Sequence, residues 1–149
     1  HYEPIIQQAS IFAIFITLIT GTAGNTGTQS LAVAIRKIGL HEEEQSFWKV
    51  LVQEGTTGLG IGLISGVMVF GIVSLWHGSL VLGGIIGFAM FASIFVAALT
   101  GTCIPFALEK FNFDPSIASG PFITTVNDLT SVLVYFTIVS QFISVYLAK

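Results

Sequence analysis

The sequence predicts an all-α membrane protein, a polytopic helical bundle with about four spans in this chain. Three observations carry that reading. Of 149 residues, 53% are hydrophobic and only 9% charged, against roughly 25% charged in a soluble domain. Mean hydropathy is +0.88, more than helices burying one face need. The apolar residues fall in runs near the roughly 20 residues that cross a 30 Å hydrocarbon core, without the alternation a barrel strand needs. The net charge of −3 is mild, and no basic patch points to nucleic acid. The start, HYEPII, has no basic n-region or cleavage site and does not read as a signal peptide.

The first span is expected from Ile5 to near Gly21. The stretch GTAGNTGTQS, Gly21 to Ser30, follows it and LAVAI comes next. A helix continuing to Ile38 would be about 50 Å long, so it must protrude, tilt or break. Asn25, Thr28 and Gln29 concentrate polar groups beside small residues. Such a surface is costly against lipid. It reads as a pore-lining wall that begins at Gly21, with polar packing between helices as the alternative.

HEEEQ, His41 to Gln45, reads as a solvated loop, and FWKVLVQE after it as a short interfacial helix. The second span is expected from Gly55 to Leu75 and the third from Leu80 to Leu108. Their small residues, GTTGLGIGLISG, GGIIG and TGT, read as close helix packing. Cys103, the one cysteine, has no ligand-spaced partner and reads as a packing residue. The three histidines lie in separate segments and make no metal spacing.

Before the fourth span, Pro121 to Leu147, comes FDPSIASGPF. Asp114 then Pro115 is a good helix start, an N-cap acceptor followed by proline at the first position. Two arrangements stay open for Pro121. It breaks a running helix, freeing the carbonyl of Ile117 toward a water-filled path, or it starts a separate helix. Asp128 then lies about 8 Å to one side of the helix centre. Gly120, Thr124 and Asp128 recur every fourth residue, on one face. An intramembrane carboxylate costs several kcal/mol without water or a partner, and no Lys or Arg lies at its depth.

The basic residues Arg36, Lys37, Lys49 and Lys110 fall in two loops on one side. Positive-inside puts loops 36–49 and 109–114 in the cytoplasm, with Trp76, Tyr2 and Tyr146 at an outer aromatic belt. A two-fold dimer around a pore would set two Asp128 carboxylates face to face, matching one dication. Ca²⁺ wants 6–8 oxygen ligands, while Mg²⁺ keeps its waters. The residues alone thus lead to a divalent-cation path, with Mg²⁺ among the ions it suits, and no further.

The same stretches resemble the MgtE family of magnesium channels. GTAGNTGTQS looks like its signature on the second transmembrane helix. TGTCIPFALEKFNFDPSIASGPFITTVNDLTSVLVYF looks like its fourth and fifth, with a DP dipeptide, a following proline and T-x-x-D in its order. The resemblance implies that residues 1–149 are a pore domain of a bacterial inner-membrane channel. It implies a homodimer whose central pore is lined by the first and fourth spans of this chain. The transported ion is then hydrated Mg²⁺, with Mn²⁺ and other divalent cations left open. The family's pore aspartate falls on Asp128, and a backbone carbonyl one turn earlier on Thr124. Gly120 and Thr28 stand where the family often has asparagine. The family has five transmembrane helices after cytoplasmic regulatory domains, and this chain begins just before the second.

The competing classes are a proton- or sodium-coupled carrier using the same aspartate and a membrane anchor without transport. An enzyme is not expected, since no Ser-His-Asp, HExxH or paired-carboxylate pattern lies at membrane depth.

Overall fold

The computed structural model describes residues 3–40, 46–118 and 120–147, with side chains from Ser10 to Phe142. Four long helices cross the membrane region: α1 (Glu3–Gly39), α2 (Phe47–His77), α3 (Leu80–Lys110) and α4 (Gly120–Leu147). Each is long and apolar enough to span, so the chain is a multi-pass membrane protein held in a lipid bilayer. HEEEQ, His1, Tyr2 and Lys149 lie outside the described residues.

α1 is one uninterrupted helix of 37 residues, and its apolar stretch runs from Ser10 to Gly39. That corrects the expected end near Gly21. The polar run stays helical because its hydroxyls bond within the helix. Thr22 donates to the Leu18 carbonyl at 2.8 Å, Thr26 to Thr22 at 3.0 Å and Thr28 to Gly24 at 2.9 Å. Such back-bonding satisfies the hydroxyls without water. At 1.5 Å per residue α1 is about 55 Å long, so it tilts or protrudes.

α2 starts at Phe47 rather than Gly55, and FWKVLVQE is its first part, not a separate interfacial helix. Packing explains the difference. The Phe47 ring lies 5.3 Å from Phe106 of α3, edge to face, and Val50 and Glu54 are buried. Gly78, at φ 65°, ends α2 in the left-handed region, which glycine adopts without strain. Ser79 then caps α3 by accepting from the Leu82 N–H at 3.2 Å. The α2–α3 pair is joined by an intimate seam. A Cβ on Gly87 would stand 2.6 Å from the Gly66 carbonyl, and one on Gly66 2.8 Å from that of Gly87. The small residues of these spans therefore serve close packing, as expected.

α3 is the hub. α1, α2 and α4 all pack on it, while α1 and α2 barely touch. Pro105 lies buried inside α3 and cannot donate to the Gly101 carbonyl, yet the helix continues. Cys103 is a half-buried free thiol. With Phe47, Phe106, Ala107 and Lys110 it lines an apolar cavity of about 450 Å³. The main core joins Phe12 and Ile19 of α1, Val69 and Val73 of α2, Leu82, Ile86 and Ile94 of α3, and Tyr135 of α4. The Tyr135 hydroxyl donates to the Phe12 carbonyl at 2.6 Å. Ile64, Val67, Leu75, Phe88 and Leu133 are exposed.

The contacts fix the directions. Gly101 of α3 meets Gly27 of α1, and both helices put residues of the outer core near Phe12 and Leu82, so they run parallel. α2 and α4 run against them. Arg36, Lys37, Lys49 and Lys110 thus share one end, and Trp76, 81% exposed, marks the other.

Candidate cation site

Asp114 opens the approach to α4. Its carboxylate accepts from the Ser116 N–H at 2.9 Å and from the Ser116 hydroxyl. These bonds, the hydroxyl's first, hold its carboxyl below the usual carboxylate range. Pro115–Ile117 is a 3-10 turn, and α4 begins anew at Gly120. Of the two arrangements for Pro121, the separate helix is the one observed, so the Ile117 carbonyl ends a turn instead of marking a gap in a helix. Ile117 is exposed on that turn, ahead of the helix that carries Gly120, Thr124 and Asp128.

On that face the Thr124 hydroxyl donates to the Gly120 carbonyl at 2.7 Å. Asp128 is half-buried and stands over Gly24 of α1. A Cβ built on Gly24 would lie 3.2 Å from Asp128 Oδ1 and 3.7 Å from the Thr124 methyl. The carboxylate has no hydrogen-bond or ion-pair partner among the described residues. Nor do three or more His, Cys, Asp or Glu gather around a metal-sized space among them.

α1 contributes the other wall. Gly21, Asn25 and Gln29 are exposed along one stripe that continues to Arg36, one turn apart. Toward the other end the same stripe becomes Leu18 and Ile14, 46% and 69% exposed. Thr28 is half-buried and its proton goes to the Gly24 carbonyl, so only its lone pairs remain for a solute. Of the residues singled out from the sequence, Asp128, Thr124 and Gly120 share a face of α4, and Gly21, Asn25 and Gln29 a face of α1.

Sequence reasoning passed over Asn127. It is fully buried and its Oδ1 accepts from the Thr100 hydroxyl of α3 at 2.8 Å. A signal existed. Ile123, Asn127, Ser131, Tyr135 and Val139 recur every fourth residue and all are buried, so three polar residues line the inward face of α4. Glu54, buried in α2, was likewise hidden in a segment read as interfacial.

A family model described as MgtE, divalent cation transporter, matches residues 16–138. The chain belongs to the MgtE family. Its relatives include a protein of Enterococcus faecalis named magnesium transporter MgtE, 51% identical over 143 residues, which cover 95% of this chain. Those of Bacillus subtilis and Thermus thermophilus, with the same name, are 38% and 30% identical over 96% and 92% of this chain. The chain spans about a third of the length of each, 32%, 32% and 30%. The family description is that of a transporter, not an enzyme.

Proposed function

We propose that this chain forms the pore of a magnesium channel, in which two copies meet about a two-fold axis and pass hydrated Mg²⁺ into the cytoplasm down its electrochemical gradient. The observation that carries the reading is Asp128. It is an intramembrane carboxylate without a partner among the described residues, standing over Gly24 of a helix that exposes Asn25 and Gln29. Carboxylate and carboxamide surfaces at this depth are tolerated only against water or protein. A second copy facing this one supplies both, a wall and a water-filled gap. Two carboxylates balance one dication, and Mg²⁺, which sheds its waters reluctantly, is read through its water shell with Thr124 and Gly120 carbonyls nearby. Ile117, Gly21, Asn25, Thr28 and Gln29 line the approach. The relatives' printed name supports the choice of ion. Positive-inside places the end with Arg36, Lys37, Lys49 and Lys110 in the cytoplasm of a bacterial inner membrane, where the regulatory domains of the longer protein would sit.

The test is Mg²⁺ flux into liposomes by the full-length parent protein, wild type against Asp128→Ala, with Ca²⁺ as control ion and dimer content checked. Loss of Mg²⁺ uptake or of preference over Ca²⁺ in a dimeric variant supports the pore. Unchanged selectivity refutes it. Uptake that collapses when a proton or sodium gradient is removed would instead identify a coupled carrier.

A further inference from the structure

On α4, Asn127 and Asp128 are neighbours about 100° apart around the helix, and each stands on a glycine of α1. Asp128 sits over Gly24, and Asn127 over Gly27, one turn on. The Asn127 Nδ2 atom lies where a Gly27 Cβ would be, so only glycine admits it. From the other side Thr100 of α3 donates its hydroxyl to Asn127 Oδ1 at 2.8 Å. Gly101, next to Thr100, packs so closely on α1 that a Cβ there would collide with the Gly27 carbonyl. Three helices therefore converge on one carboxamide that is fully buried.

The bonding there is sparse. Asn127 Nδ2 has no acceptor, and the Thr100 proton is also within reach of the Val96 carbonyl at 2.9 Å and the Ala97 carbonyl at 3.1 Å. A hydroxyl has one proton. If the amide is turned over, Nδ2 donates to Thr100 Oγ1 while that proton goes to Val96. In both orientations a single link joins Asn127 to Thr100, and it is the one polar link between α3 and α4 among the described hydrogen bonds.

We infer that Asn127, held by Thr100 in the recess over Gly27, is a positioning residue that sets where the Asp128 carboxylate stands on Gly24. The inference rests on the pore reading for its meaning, though not for its geometry. The carboxylate lies about 5 Å from the α4 axis, so a rotation of about 20° moves it by about 2 Å. That is close to a whole metal–water bond. The buried carboxamide fixes the rotation at the adjacent residue, where the lever is shortest.

The experiment compares Thr100→Val and Asn127→Ala with Thr102→Val in the full-length parent protein. Thr102 is an apt control, because it lies on α3 two residues from the half-buried Thr100 and is itself fully buried, but bonds only to the Ala98 carbonyl, at 2.9 Å. Two readouts are taken. One is the Mg²⁺ concentration for half-maximal flux and the Mg²⁺ to Ca²⁺ flux ratio. The other is the rate at which a charged thiol reagent labels Asp128→Cys in a background freed of native cysteines, Cys103→Ser included, which follows the position of that side chain whether or not it binds an ion. The expected result is that Thr100→Val and Asn127→Ala each shift half-saturation and labelling at least threefold. Their double variant shifts no further than Asn127→Ala, as for residues acting as a unit. Thr100→Ser restores both values, and Thr102→Val moves neither. The inference is overturned if labelling at position 128 is the same in Thr100→Val, Asn127→Ala and Thr102→Val. If instead Asp128→Ala conducts with unchanged selectivity, the pore reading falls while the labelling still judges the positioning.

Discussion

Gly24→Ala separates the demands of the fold from those of the ion. The new methyl would stand 3.2 Å from Asp128 Oδ1, so the carboxylate must give by a few tenths of an ångström. The fold loses nothing by this, because alanine is better than glycine inside a helix by up to about 1 kcal/mol. The ion does lose. Through one water, metal and carboxylate oxygen lie about 4.5 Å apart, from a 2.1 Å metal–water bond and a hydrogen bond of about 2.7 Å. At an effective dielectric of about 20, changing 4.5 Å to 4.9 Å weakens a dication–carboxylate attraction by about 0.6 kcal/mol. That is roughly threefold in affinity for one carboxylate and seven- to eightfold for two. The assay pairs Mg²⁺ flux into liposomes with thermal unfolding of the same protein. The expected outcome is a several-fold shift in half-saturation with an unfolding temperature equal to or above wild type. Unchanged half-saturation in a folded dimer would refute the placement of the carboxylate over Gly24.

Tyr135→Phe removes the hydroxyl that donates to the Phe12 carbonyl at 2.6 Å and should lower stability by about 1 kcal/mol, with Mg²⁺ selectivity unchanged; thermal unfolding in detergent reads it. Gly87→Ala sets a methyl 2.6 Å from the backbone oxygen of Gly66. Backbone cannot retreat as a side chain does, so α2 and α3 must part and stability falls by about 1–3 kcal/mol; the same unfolding assay applies. Asp114 titrates below its unfolded value because Ser116 bonds to its charged form. The turn's stabilisation is therefore complete above about pH 4 and is lost as pH falls through the folded value. Exchange protection of the Ser116 amide should drop over that acidic range, and Asp114→Asn should abolish the pH dependence.

Much of this architecture was legible because helix crossing leaves a compositional mark. The third and fourth spans follow from apolar runs and their breaks. What misled was polarity read as an ending. GTAGNTGTQS looks like a terminator, but its threonines turn their hydroxyls into their own helix, and Gly24 and Gly27 receive side chains from α4. FWKVLVQE looks amphipathic along the membrane surface until Phe47 finds Phe106. The α4 face with Asp128 was legible, since spacing of four is a property of the chain. The role of Asn127 was not, because a polar residue beside an acidic one shows nothing of Thr100, 27 residues away. Only the buried spacing of Asn127, Ser131 and Tyr135 carried a trace of it.

The length of α1 has a mechanical consequence. From Gly24, beneath the carboxylate, to Gly39 is about 22 Å of stiff helix. A tilt of about 10° about that contact swings the far end through about 4 Å. The helix is then a lever with a short arm at Asp128 and a long one at Arg36 and Lys37. Whatever grips the long arm more firmly at one angle biases the fulcrum, and by linkage, occupancy at the fulcrum is felt by that grip with equal strength.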